Sequence, residues 1–189
     1  VPVWEVDQPA NIEAKKARLK EISGEVRERV SLVPIDFERE DLETVLADSG
    51  YESSMRTFFI WEGVTQYVTE PGIRATMEYL AKAPAGSRLV FTYSPKDFID
   101  GEVMYGHEKI YRRMRVKNTI WHTGFDPKKI DEFLGEYGWK VREHLGYDEL
   151  GERYVKPTGR DLGWMGIERV VHAEKSGSSN TGCQGSTGE

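Results

Sequence analysis

The chain has 189 residues, 38% of them hydrophobic, and a net charge of −6 from 26 Lys+Arg against 32 Asp+Glu. That size and composition suit one ordinary globular domain with room for a core and a ligand cleft, and argue against a fibrous or disordered chain. The basic residues are scattered, with no footprint for nucleic acid, and the apolar runs are too short to cross a bilayer, so the expectation is a soluble, cytoplasmic protein with neither nucleic acid nor membrane as partner.

The first stretch, V-P-V-W-E-V-D-Q-P, reads as a strand over Val1–Val6 that stops at two carboxylates and a proline. Pro9 suits the first turn of a helix carrying Ile12, Lys16 and Leu19 on one side. Val30–Ile35 is a second strand, apolar enough for burial on both faces. Glu40–Asp48 predicts a helix with Leu42, Val45 and Leu46 inward and Gly50 at its stop. Thr57–Trp61 is a third strand. Thr69 can cap a helix starting near Pro71, with Ile73, Met77 and Leu80 as its apolar stripe, ending before the turn Pro84-Ala85-Gly86. Arg88–Tyr93 is a fourth strand, and Asp97–Trp121 is less regular, charged and aromatic. Asp126-Pro127 opens a helix with Ile130, Phe133, Leu134 and Tyr137 inside, ended by Gly138. Trp139–Leu145 and Ile167–Ala173 read as two last strands, the latter a candidate sheet edge or antiparallel pair. Residues 176–189 form a Gly/Ser-rich run expected to be disordered. It holds the single cysteine, Cys183, which excludes an internal disulfide and any Cys-based zinc site. Short strands alternating with longer helices, without internal repeat, predict an α/β domain with a largely parallel sheet.

Asp7, Asp36 and Glu62 each close a different predicted strand, the place where open α/β sheets bind ligands. Each alone also reads as a cap of the next helix or turn. Glu62-Gly63 is the most suggestive, because a glycine lets backbone approach a ligand closely. A nicotinamide-dependent oxidoreductase would account for an acid at Asp7, and for neither Asp36 nor Glu62.

Several stretches in one order, V-W-E-V-D-Q-P with K-K-A-R-L, V-P-I-D-F, F-F-I-W-E-G-V-T-Q-Y-V, G-S-R-L-V-F-T-Y, and G-W-K-V-R-E-H-L-G with E-R-V-V-H-A, resemble the leucine carboxyl methyltransferase family. More narrowly, they resemble its bacterial branch of S-adenosylmethionine-dependent methyltransferases. The resemblance implies a Rossmann-like class I methyltransferase sheet with flanking helices. Family members carry a helical segment, a first strand and a glycine-rich G-x-G-x-D-type loop before this point. The expectation is therefore a C-terminal two-thirds that lacks that strand and loop, with residues 1–175 a partial methyltransferase domain. A remnant that has lost cofactor binding and serves as an interaction module is the alternative.

The resemblance further implies S-adenosylmethionine as cofactor. Asp7, with Glu5 supporting, would accept hydrogen bonds from the ribose hydroxyls; Asp36 and Phe37 would receive the adenine; Glu62, with room made by Gly63, would bind the methionine ammonium. The implied reaction is methyl transfer to a carboxylate or hydroxyl oxygen on a small molecule or a protein C-terminus. A hydroxyl acceptor would gain from a base such as His107 or His122. Tyr105, Tyr111, Arg112, Arg113 and Trp121 lie where substrate-covering insertions would sit. Arg112 and Arg113 could hold an acidic substrate or form a solvated basic face.

Overall fold

The computed structural model describes residues 1–24, 28–37 and 39–177. Residues 178–189, with Cys183 and nearly all of the Gly/Ser-rich run, lie outside the described residues.

Strand β1 (Val3–Asp7) leads into helix α1 (Pro9–Ser23), which starts at its proline and buries only Ile12. Pro9 loses nothing at a helix start, where its missing N–H would have had no partner. Strand β2 (Val30–Pro34) pairs with β1 in parallel, Val3 opposite Val30 and Asp7 opposite Pro34. Burial on both faces was expected of it. Val33 and the following Ile35 are buried, and the remaining strand residues are partly or fully exposed.

Helix α2 (Leu42–Asp48) begins two residues later than the spacing predicts, because Asp41 is its cap: the carboxylate accepts from the Thr44 backbone N–H at 2.9 Å. These hydrogen bonds hold the Asp41 carboxyl below its ordinary range. Gly50 follows the helix at φ +79°, the left-handed conformation that ends helices and that glycine adopts without steric cost.

Strand β3 (Phe58–Trp61) pairs in parallel with β4 (Arg88–Tyr93), and between them α3 (Glu70–Leu80) buries Ile73, Met77 and Leu80 as its period requires. Two short helices follow, α4 (Lys96–Ile99) and α5 (Glu108–Tyr111), the second continued as a π-helical turn over Arg112–Lys117. Helix α6 (Ile130–Glu136) starts after a turn rather than at Asp126-Pro127, since the Asp126 side chain accepts from Lys128 N–H at 2.9 Å and holds the chain in a turn. Strand β5 (Trp139–Leu145), helix α7 (Tyr147–Leu150) and strand β6 (Arg169–Lys175) complete the fold. The helical turns over residues 147–158 carry no strong apolar period and are not foreseen by the sequence pattern.

The strands form two sheets, β1-β2 and β3-β4-β6-β5. Strand β6 is antiparallel to both neighbours and lies inside its sheet, so the expected antiparallel pairing holds while the edge positions belong to β3 and β5. A tyrosine links the two sheets beside the packing of α2 on α3 and the Lys82–Glu43 ion pair. Trp4 packs edge-on against Tyr51 at 5.3 Å and donates from its indole to Ser49 O at 3.0 Å, and Tyr51 Oη lies 2.8 Å from Thr57 Oγ1 just before β3.

The main core sits on one face of the larger sheet, where Leu89, Phe91, Tyr93, Val171, Ala173 and Trp139 meet α3 and α6. The opposite face is open, leaving Phe58 58% and Ile60 66% exposed on β3. Leu89 is fully buried in this core, so Leu89→Ala removes apolar burial and leaves a cavity. We expect a loss of about 2–5 kcal/mol in urea-unfolding stability, read as a lower midpoint at unchanged slope.

Candidate functional site

The C-terminal end of β4 organises the region that the acidic strand ends mark out. Thr92 is buried and bonds twice: its hydroxyl accepts from Gly63 N–H at 2.8 Å, and its carbonyl accepts from the Thr65 hydroxyl at 2.8 Å. The loop after β3 is thereby pinned with Gly63 at φ +69°, where a side chain would be strained although space is open around it. Glu62, one residue earlier, is exposed and makes no hydrogen bond or ion pair among the described residues.

The other carboxylates are engaged. Asp7 Oδ1 accepts from Gln8 N–H at 2.7 Å and from Asn11 Nδ2 at 2.9 Å, tying the end of β1 to the first turn of α1, and leaves its second oxygen open. Glu5 lies within β1 rather than at its end and pairs with Lys15 of α1. Asp36 pairs with Arg39 at 3.5 Å and its backbone N–H donates to Glu40 at 2.8 Å, beside a half-buried Phe37.

Gly63 also lines a cleft of about 470 Å³, within the range of small-molecule sites. Its walls are mainly apolar and aromatic, with Tyr67, Tyr93, Ile110, Met114, Trp121 and Ile167 among them. One side is a second small core in which Phe98, Ile99, Trp121 and Ile167 pack together under Met114 and Ile110, so the irregular segment after β4 folds over the cleft. Arg113 and Glu168 are its only charged lining residues among those described.

Of the substrate candidates, Trp121 lines the cleft, with its Nε1 buried and without a partner and its ring edge-on to Tyr67 at 6.1 Å. The others stand elsewhere. Tyr105, at φ +50°, donates to Asp97 at 2.6 Å, and burial together with that bond pushes its phenol up to about 12. His107 Nε2 accepts from Gly166 N–H at 3.3 Å. Arg112 and His122 are exposed and outside the lining, whereas Arg113 faces in.

Sequence reasoning missed the polar cluster at the end of β4. Tyr93 Oη lies 2.8 Å from His144 Nε2, and Arg169 Nε lies 3.2 Å from the same nitrogen. A guanidinium only donates, so His144 Nε2 carries no proton and the neutral ring is protonated on Nδ1. Tyr93 must then donate toward it. Burial lowers the His144 pKa, with the Arg169 charge adding to it against weaker opposing pulls from Asp131 and Glu149. Burial raises the Tyr93 phenol well above its ordinary value. Nothing in the local sequence signals this triad, because its members come from β4, β5 and β6.

The arrangement of strands and helices is shared with known enzymes. Superposition gives a TM-score of 0.59 with the mitomycin 7-O-methyltransferase MmcR at 12% identity, covering 93% of this chain and 42% of that one. The magnesium protoporphyrin IX methyltransferase of Synechocystis PCC 6803, solved with bound S-adenosylhomocysteine, gives 0.55 at 13% identity, covering 93% and 65%. The fold is that of the class I S-adenosylmethionine-dependent methyltransferases.

Within that class the sequence narrows the assignment. Residues 1–81 match the leucine carboxyl methyltransferase family. The Bacillus subtilis protein YktD, whose name calls it a candidate S-adenosyl-L-methionine-dependent methyltransferase, is 26% identical over 175 residues, covering 92% of this chain and 57% of the relative. A Mycobacterium ulcerans protein of the same designation is 27% identical over 172 residues, covering 84% and 54%. The chain is thus related to the leucine carboxyl methyltransferase family, as its motifs suggested, and it spans about half the length of the curated relatives it matches.

Because the folded-state pKa of His144 lies below its ordinary 6.5, the unfolded chain binds the proton more readily. The contribution of neutral His144 to stability is complete above about pH 6.5 and declines as pH falls below it. We expect the melting temperature to drop between pH 7.5 and 5.5, above the range where carboxylates titrate, and His144→Gln to flatten that slope in a thermal-melt series.

Proposed function

We propose that this chain is part of an S-adenosylmethionine-dependent methyltransferase whose cofactor lies along the ends of β1, β2 and β3 and whose methyl acceptor enters the cleft beside Gly63. The observation that carries this reading is the position of Glu62-Gly63. A carboxylate without a partner stands next to a glycine that lines the cleft and has open space above it. A methionine ammonium needs a countercharge, and a cofactor methyl needs access to the acceptor; one dipeptide serves both.

The residues present fit the cofactor. Glu62 would neutralise the ammonium, the open oxygen of Asp7 would accept from a ribose hydroxyl, and Asp36 with Phe37 would border the adenine. The Asp36–Arg39 and Glu5–Lys15 pairs do not oppose this, since exposed ion pairs are worth about 0–1 kcal/mol and can be exchanged for ligand bonds. When bound, the cofactor supplies an electrophilic methyl group on a positively charged sulfur. The chain supplies the rest. Thr92 fixes the β3 loop so that Glu62 and Gly63 keep their places, and the packing of Trp121 and Met114 over the cleft limits water around the acceptor. The acceptor oxygen is a carboxylate or a hydroxyl.

Isothermal titration with S-adenosylhomocysteine and with methylthioadenosine, which has the nucleoside but no ammonium, tests the assignment. Glu62→Gln should weaken S-adenosylhomocysteine by about tenfold or more, the worth of a charge-assisted hydrogen bond of about 1.5–3 kcal/mol, and leave methylthioadenosine unchanged. A coupling within error of zero removes Glu62 from the ammonium site. Asp7→Asn should weaken both ligands alike, because both carry the ribose.

A further inference from the structure

We propose that the Ser94 hydroxyl binds the methyl acceptor, through a hydrogen bond to an oxygen carried on an otherwise apolar body. The inference rests on the methyltransferase reading above for what enters the cleft, and adds a residue that holds it there. Four serine and threonine side chains are buried among the described residues, those of Thr65, Ser87, Thr92 and Ser94. Three of them are satisfied inside the protein. Thr65 donates to Thr92 O at 2.8 Å, Thr92 accepts from Gly63 N–H at 2.8 Å, and Ser87 accepts from Thr57 N–H at 3.2 Å.

Ser94 is the exception. It is only 4% exposed, and its hydroxyl has no hydrogen-bond partner among the described residues. Buried hydroxyls in folded proteins are nearly always bonded, so one that is not calls for water or a ligand. The side-chain polar atoms sealed away without a partner are the indole nitrogens of Trp121 and Trp139; the Ser94 hydroxyl is not sealed with them and so keeps a small open surface. Ser94 lines the cleft beside Gly63, and the cleft is where that surface opens.

The hydroxyl is also held before any ligand arrives. The Ser94 carbonyl accepts from Phe125 N–H at 3.1 Å, Lys96 N–H donates to Phe125 O at 2.8 Å, and Pro95 between them fixes its own φ. A group anchored in this way loses little freedom when it binds. Around it the walls of Tyr67, Ile110, Met114 and Trp121 suit a flat apolar body, so a polar contact at Ser94 sets which end of that body lies toward Gly63. A serine hydroxyl both donates and accepts, and it therefore serves a carboxylate oxygen and a hydroxyl oxygen alike.

The test uses the 189-residue chain and two probes of one shape, p-cresol and p-xylene, which differ by a hydroxyl in place of a methyl group, with dissociation constants from NMR titration. Ser94→Ala should weaken p-cresol by about three- to tenfold, the worth of one neutral hydrogen bond, and leave p-xylene unchanged. It should also leave the melting temperature in place, because no internal bond is lost, whereas Ser87→Ala removes the acceptor of Thr57 N–H and should lower it. Absent p-cresol binding, p-cresol binding that Ser94→Ala leaves unchanged, or equal weakening of both probes overturns the inference. A melting temperature that falls as far for Ser94→Ala as for Ser87→Ala overturns it too, by revealing an internal partner. So does a loss of S-adenosylhomocysteine affinity in Ser94→Ala, which would assign the hydroxyl to the cofactor. Failure of the underlying reading is distinguishable, since it shows as absent S-adenosylhomocysteine binding to the unaltered chain and does not change the probe comparison.

Discussion

The last three residues around the end of β4 hold this molecule's chemistry in place. Thr92, Tyr93 and Ser94 are all buried, and each ties down a different segment. Thr92 anchors the loop after β3, Tyr93 reaches across β6 to His144 on β5, and the Ser94 carbonyl accepts from Phe125 N–H at 3.1 Å and so sets the approach to α6. A buried polar group without a partner costs about 1–3 kcal/mol, so these bonds leave the surrounding loops few alternatives. The side of the cleft nearest Gly63 and the side nearest Tyr93 are thus positioned by a single strand end.

The acidic residues divide by their partners. Asp7 is hydrogen-bonded to the start of α1, Glu5 and Asp36 are in exposed ion pairs, and Glu62 alone of the four has neither a hydrogen bond nor an ion pair among the described residues. Exposed pairs contribute too little to hold their members against a ligand, whereas a free carboxylate beside a cleft pays no such exchange. The ranking of these acids as ligand groups therefore follows their present bonding rather than their charge, which is the same for all.

The two sheets end in open edges, on β1 and β2 in the smaller and on β3 and β5 in the larger, and β3 turns Phe58 and Ile60 outward. The exposure of β3 arises because the main core forms on the opposite face, against α3 and α6, and because the tyrosine link between sheets runs through Trp4, Tyr51 and Thr57 at the strand starts rather than along the strands. Open edges of this kind can pair with further strands.

Local pattern was enough for the elements whose signal is local. The stripe Ile73, Met77, Leu80 is the buried face of α3, Gly50 and Gly138 take the left-handed conformations that end their helices, and Arg88–Tyr93 is a strand to the residue. The run of motifs likewise sufficed to indicate the methyltransferase family. What the chain order could not convey is which residues from distant strands face one another. The insertion of β6 between β4 and β5, the choice of Arg113 over Arg112 for the cleft, and the meeting of Tyr93, His144 and Arg169 depend on antiparallel register and helix rotation. Those are settled by packing and hydrogen bonding between segments 25 to 51 residues apart, and no local period encodes them.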